Sequence, residues 1–173
     1  MQTKQPVIQL TIDDYKKCVE FTNLDMDWCD KNNAQTKYGQ SSDLETRHRD
    51  TVQGYLGEEA FAKSLGYTTV WSRYNKTAHD VLGYEVRTVK YQNAILITHY
   101  DDKSALYVCV SLDRNTLKAT LKGWSDLSRC NSRPNNWRKD WRKPCFGMHE
   151  DQLFDIGTLP ATPELVAHQK QVV

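Results

Sequence analysis

Long apolar runs are missing from this 173-residue chain, and the longest fall far short of the roughly 20 residues that cross a bilayer. No membrane helix is expected. At 39% hydrophobic content and with five Trp, the sequence is still too apolar to be disordered throughout. The five cysteines (Cys18, Cys29, Cys109, Cys130, Cys145) are odd in number and contain no Cys-x-x-Cys spacing, which argues against a disulfide framework and for reduced, mostly core-filling thiols. Cys130, Cys145 and His149 offer three zinc ligands, but the paired spacing of a zinc ribbon is lacking. A Gly-x-Ser-x-Gly elbow, a papain-like cysteine context, a Walker loop and a dinucleotide glycine fingerprint are all absent too. Nucleophilic hydrolysis, P-loop chemistry and dinucleotide redox chemistry therefore have no support. The opening Met-Gln-Thr-Lys-Gln-Pro shows no apolar core or small-residue cleavage site, so a cytoplasmic location is expected, the host cytoplasm if the chain is viral.

Charge is partitioned rather than scarce. The formal net charge is +1, yet residues 114–149 hold nine Lys/Arg against two acids, and residues 1–60 hold seven basic groups against eleven acids. A polyanion would meet one region and not the whole surface. Within that region, Arg129, Arg133, Arg138, Lys139, Arg142 and Lys143 alternate with Trp137, Trp141 and Phe146. Cations that neutralise phosphates beside rings that stack on bases suit nucleic acid, although the residues favour burial of both Trp behind a phosphate-contacting basic rim.

Thr11 and Asp14 form a capping-box pattern ahead of Tyr15, Cys18, Val19, Thr22 and Met26, which predicts a helix over about 12–30. Ser42 and Glu45 form a second such pattern, and the stripe Leu44, His48, Val52, Leu56, Ala60 predicts a helix up to Leu65, stopped by Gly66. Gly54 and Gly57 give that helix a small-residue face that a sheet can approach closely. From residue 67 the pattern turns to strands, at 67–72, 81–90, 94–99, 105–111 and 117–122, with residues 91–93 and 101–103 short enough for hairpin loops. The expected fold is α/β, with N-terminal helices packed on a mixed, antiparallel-rich central sheet and an irregular Trp/Arg-rich C-terminal segment. One domain is expected, with an N-terminal strand/helix extension at 1–41, a core at 42–123, the basic segment at 124–159 and a tail at 160–173.

Acids on the second helix, then Asp80 and Glu85-Val86-Arg87 on a strand, carry the clearest chemistry. Mg²⁺ or Mn²⁺ is held by a few carboxylates together with retained waters, and there it neutralises a phosphodiester and activates water. Glu58 or Glu59, Asp80, Glu85 and the Val86 carbonyl are the candidate ligands. Arg87 lies two residues from Glu85, hence on the same strand face, where its guanidinium can hold a phosphate oxygen. Asp80 is five residues from Glu85, so a regular strand sends the two apart. A bulge at Gly83 is the expected remedy. His79, His48, Arg49, Tyr55 and Tyr84 are secondary candidates around the same cleft.

Gly57-Glu58 on a helix followed by Asp80-x4-Glu85-x-Arg87 resembles the PD-(D/E)XK, or restriction-endonuclease-like, nuclease superfamily. The likeness extends over about residues 54–155, through Tyr84-Glu-Val-Arg-Thr, Asp101-Asp-Lys, Gly123-Trp124 and Pro144-Cys-Phe-Gly-Met-His, to small nuclease-like proteins of phage and bacterial origin. The resemblance implies a mixed sheet flanked by helices, with Glu58, Asp80 and Glu85 as metal ligands. It also implies a deoxyribonuclease acting on DNA. Position 87 departs from the usual Lys, since arginine keeps the charge but cannot serve as a general base near neutrality. Lys90 stands three residues on and so points to the other face of a regular strand. Three outcomes stay open: an active Arg variant, a slow enzyme, or a catalytically inactive fold that acts as a DNA-binding or protein-interaction factor, such as a viral accessory or anti-defence protein; a homodimer or a protein partner is open in each case.

Overall fold

Local capping sets the two long helices. The structure, a computed structural model, describes residues 5–32, 43–71, 80–90, 95–99, 102, 105–132, 137, 138 and 145–171, leaving aside the side chains of 132, 137 and 138. Helix α1 (Ile12–Lys31) starts at the predicted capping box: Thr11 Oγ1 accepts the Asp14 N–H at 3.1 Å, and the Asp14 carboxylate accepts the Thr11 N–H at 2.6 Å. Helix α2 (Leu44–Ser64) is capped by Asp43, whose carboxylate accepts the Thr46 N–H at 2.8 Å. The expected Ser42 cap lies outside the described residues. Asp43, one position later, still sets an acid against the positive end of the helix dipole. At the far end Gly66 takes φ +68°, the left-handed conformation that glycine tolerates and that stops the helix.

Every residue of α2 from Thr51 to Ala62 is buried. Such a helix must find a partner for each polar group that it carries inward, because an unpaired buried one costs about 1–3 kcal/mol. The predicted small-residue approach is realised at Gly57, where an added Cβ would collide with the Thr88 hydroxyl of the neighbouring strand.

The strands sort into two sheets. The larger has the order β1 (Val7–Gln9), β5 (Lys118–Asp126), β4 (Leu106–Asp113), β2 (Tyr84–Val89). Its β1/β5 and β5/β4 pairs are antiparallel and its β4/β2 pair is parallel. The smaller sheet has the order β3 (Ile95–Thr98), β7 (Cys145–His149), β6 (Trp137–Arg138), all antiparallel. Expected hairpins at 91–93 and 101–103 are thereby overturned. Strand β3 leaves to pair with β7, and a parallel β2/β4 ladder requires a crossover connection, not a two-residue turn. Residues 67–71 also form no strand, because their polar side chains turn back onto α1 and α2. Strand β5 is longer than expected and runs through Gly123-Trp124, where the β4/β5 register shifts. Gly123, at φ +147°, lets the 153–154 chain come so close that a Cβ would sit 2.5 Å from the Phe154 carbonyl oxygen.

The layers follow from side-chain alternation on β4, whose two faces are both covered. Val108, Val110 and Leu112 join Tyr84 and Val86 of β2 in a core against Leu56, Ala60 and Phe61 of α2. Tyr107 and Cys109 face the other way, onto Leu96 of β3, Met148 of β7 and Cys130 of α3 (Leu127–Ser132). The molecule therefore stacks α1 on α2, α2 on the four-stranded sheet, and that sheet on the smaller one. Helix α4 (Pro163–Gln171) closes the C-terminal end through Leu165. All five cysteines are buried and free, as expected of core fillers. Among the described residues no helix is long and apolar enough to cross a membrane.

Candidate functional site

Strand β2 begins with a reversal. Leu82 and Gly83 both take positive φ, +44° and +85°, while the Tyr84 N–H donates to the Val81 carbonyl at 2.9 Å and the Val81 N–H to the Tyr84 carbonyl at 3.1 Å. Two successive positive φ values make a type I′ turn, which folds residues 80–81 back alongside 84–86. The expected bulge at Gly83 is therefore a turn. The turn brings the Asp80 carboxylate back to the strand, where it accepts the Val86 N–H at 2.7 Å. A strand residue's N–H and C=O point the same way, so the Val86 carbonyl shares the edge of β2 on which Asp80 lies, away from β4.

Glu85 and Arg87 stand on the face opposite Tyr84 and Val86, as their two-residue spacing predicts. Their charged groups are 3.7 Å apart, and the Arg87 guanidinium also donates to Asp102 Oδ2 at 3.3 Å. It lies over the Tyr107 ring, 5.1 Å from the centroid. Burial by itself pulls the Arg87 pKa down, but the carboxylates of Asp102, Asp80 and Glu85 outweigh it and hold the guanidinium above its ordinary value. Burial, together with Asp102, likewise pushes the Tyr107 hydroxyl up. Arg87 is thus a fixed cation that serves three carboxylates at once. Sequence reasoning missed Asp102. It ends a turn in which the Asp102 N–H donates to the His99 carbonyl and the His99 N–H donates back to the Asp102 carboxylate at 2.9 Å. The acidic pair at 101–102 was visible, but nothing local told which acid would reach Arg87.

Glu58 is directed elsewhere. Its Oε2 accepts the Trp71 indole N–H at 2.7 Å, in a layer built by Phe21, Tyr55 and Trp71 between α1 and the 67–71 segment. Glu59 beside it takes the Lys17 ammonium at 2.9 Å and the Thr69 hydroxyl. Both lie on the α1 side of α2, whereas Glu85 and Arg87 lie beyond the sheet. Among the described residues no three His, Cys, Asp or Glu side chains form a group able to hold a metal ion. The three-carboxylate set of Glu58, Asp80 and Glu85 is corrected by this: its first member is used to anchor Trp71. The zinc candidate fails the same test, and the Cys130 thiol packs on the Met148 sulfur at 3.8 Å.

The remaining candidates divide by place. Tyr84 donates its hydroxyl to the Pro160 carbonyl at 2.7 Å, Tyr55 donates to Asp25 at 3.3 Å, and His48 bonds Asn23 at 2.9 Å. All three tie elements together. Arg129 donates to the Gln152 carbonyl at 2.8 Å and covers the Phe154 ring at 3.7 Å. Lys90 points back toward α2 and pairs with Asp50 at 3.0 Å. His79, Arg133, Lys139, Trp141, Arg142 and Lys143 lie outside the described residues, as do the side chains of Trp137 and Arg138. No protein-family model, curated protein or solved structure matches the chain.

Proposed function

We propose that the chain is a nuclease of restriction-endonuclease-like fold, probing DNA phosphodiesters at the edge of β2. The observation that carries this reading is the return of Asp80 by the type I′ turn to the side of Glu85-Val86-Arg87. Two carboxylates and a backbone carbonyl are hard oxygen donors, and Mg²⁺ or Mn²⁺ commonly takes that many from the protein and the rest from water and phosphate. The donor set fits such a cation without Glu58. When bound, the cation supplies charge neutralisation of the phosphate and a water acidic enough to lose its proton near neutrality. Asp80, Glu85 and the Val86 carbonyl would hold the cation. Arg87 stays protonated at every working pH, so its part is to donate hydrogen bonds to a phosphate oxygen as charge grows there. Asp102 is a positioning residue that steers the guanidinium from behind.

A second reading has its own support. The Arg87 guanidinium is already bonded to Asp102 and paired with Glu85, and a cation so engaged suits a fold that binds nucleic acid without turnover. One experiment separates the two. Purified protein is incubated with supercoiled, linear and single-stranded DNA plus Mg²⁺ or Mn²⁺, alongside Glu85→Ala, while the melting temperature is followed against cation concentration. Cation-dependent cleavage and stabilisation that both disappear in Glu85→Ala support the nuclease. DNA binding with neither points to the binding module, and cleavage retained in Glu85→Ala sinks the proposed site.

A further inference from the structure

A cleft of about 580 Å³ opens at the C-terminal ends of the parallel strands β2 and β4, lined by Arg49, Lys90, Ser111, Asp113, Arg114 and Asn115. Three separate elements deliver its cations: Arg49 comes from α2, Lys90 from the residue after β2, and Arg114 from the β4–β5 turn. All three converge on Asp50, at 3.8, 3.0 and 3.7 Å. The other carboxylate, Asp113, is turned into its own loop, where it accepts the Asn115 N–H at 2.9 Å and the Thr116 hydroxyl at 2.7 Å. Cations therefore outnumber carboxylates in the cleft.

Burial lowers the pKa of Arg114; the Asp50 carboxylate opposes that shift, and the neighbouring Arg49 adds a smaller contribution to it. Arg114 is further pinned by hydrogen bonds to the Gln53 side-chain carbonyl and, at 3.2 Å, to the Arg49 backbone carbonyl, so its charge is fixed at the mouth of the cleft. Ser111 and Asn115 add neutral polar groups beside the cations. A tetrahedral oxyanion is the ligand that three converging donors and a hydroxyl recognise. Ends of parallel strands are also where α/β sheets commonly take ligands.

The geometry points to this cleft as a phosphate-binding site, in which Arg49, Lys90 and Arg114 take the oxyanion and Asp50 is the internal carboxylate that occupies the cations when the site is empty. The phosphate belongs either to a strand terminus or nucleotide or to an internal backbone diester. The site does not depend on cleavage at Asp80 and Glu85, and its readout is binding alone.

The test is calorimetric titration of the full chain with inorganic phosphate and pyrophosphate, and with 5′-phosphorylated and 5′-hydroxyl single-stranded oligonucleotides, at low and moderate salt. Lys90→Gln and Arg114→Gln are expected to weaken phosphate binding by about tenfold or more each, the scale of a lost charge-assisted hydrogen bond. Asp50→Asn is expected to strengthen it, because the competing carboxylate is gone. A purely structural ion-pair network predicts the opposite, loss of stability in Asp50→Asn with no gain in binding. Arg49, half-exposed, provides a variant, Arg49→Gln, that leaves the pinned Arg114 in place. Preference for the 5′-phosphorylated strand identifies a terminal phosphate, and equal affinity identifies the backbone. No phosphate binding, or binding indifferent to Lys90→Gln, Arg114→Gln and Arg49→Gln in folded protein, overturns the proposal.

Discussion

Two groups of buried and half-buried acids in this molecule have opposite fates. Between α1 and the 67–71 segment, Glu58 and Glu59 each have their own donors: the Trp71 indole for one, Lys17 and Thr69 for the other. At the edge of β2, Asp80, Glu85 and Asp102 all act on the Arg87 guanidinium, while Asp80 also accepts the Val86 N–H and Asp102 the His99 N–H. The first arrangement matches donor to acceptor locally and contributes to packing. The second gathers three carboxylates on Arg87 beside a strand edge. Carboxylate burial by itself therefore says little about function, and what each carboxylate is turned toward says more.

The comparison can be broken most directly through activity. Asp80→Asn and Glu85→Ala are expected to lower cation-dependent cleavage by on the order of 10² to 10³-fold, whereas Glu58→Gln, which keeps an acceptor for Trp71, is expected to leave the rate of the folded protein nearly unchanged. Initial-rate assays on plasmid DNA with each variant at matched folded fraction decide this. Equal losses in Glu58→Gln and Glu85→Ala would return Glu58 to the site. In stability the order reverses: Glu59→Ala removes the acceptor of the Thr69 hydroxyl and the carboxylate partner of Lys17, which keeps the Thr69 oxygen, and is expected to cost about 2 kcal/mol, read from denaturant midpoints. Asp102→Asn is expected to cost less than that, since Arg87 keeps Glu85.

Gly57→Ala sharpens the same contrast from the backbone side. Its Cβ runs into Thr88, so α2 must shift from β2 at a cost of roughly 2 kcal/mol, against the small gain in helix propensity that alanine brings. A thermal melt that rises in Gly57→Ala would mean that α2 and β2 are not in contact there. The smallest effect concerns Asp14. Burial raises its pKa, but the Lys63 ammonium and the Thr11 cap outweigh burial and hold it below its ordinary 3.8. A depressed folded value means stabilisation that is present above the unfolded pKa of 3.8 and lost as pH falls through the lower folded one. Asp14→Asn is expected to cost about 1 kcal/mol at pH 7 and to flatten that acid limb, followed by circular dichroism between pH 2 and 7.

Much of the helical layer was legible because its signals are local. The Thr11–Asp14 box, the stop at Gly66 and the close approach at Gly57 depend on residues three apart or on one missing side chain. Glu85 and Arg87 were rightly put on one face by alternation alone. The route by which Asp80 comes back to the strand was not legible: Val-Leu-Gly-Tyr lacks the Asn-Gly or Asp-Gly of a type I′ turn, and Leu82, at φ +44°, is a non-glycine residue in the left-handed region whose carbonyl accepts the distant Thr162 hydroxyl. Gly83 was the correct position to suspect, for the wrong backbone device.

The residue order by itself determined the two long helices to within a residue or two at their ends, which strand positions alternate together, and that Glu85 and Arg87 would meet, because each of these rests on spacings within one element. Only the tertiary structure decided that β2 and β4 run parallel while β3 departs to a second sheet. The same packing turns Glu58 toward Trp71 instead of Glu85, brings Asp102 to Arg87, and draws Arg49, Lys90 and Arg114 together around Asp50. The physical reason is range: sheet order and the face on which a helix packs are settled by contacts among side chains far apart in the chain, and no periodicity of a single segment contains them.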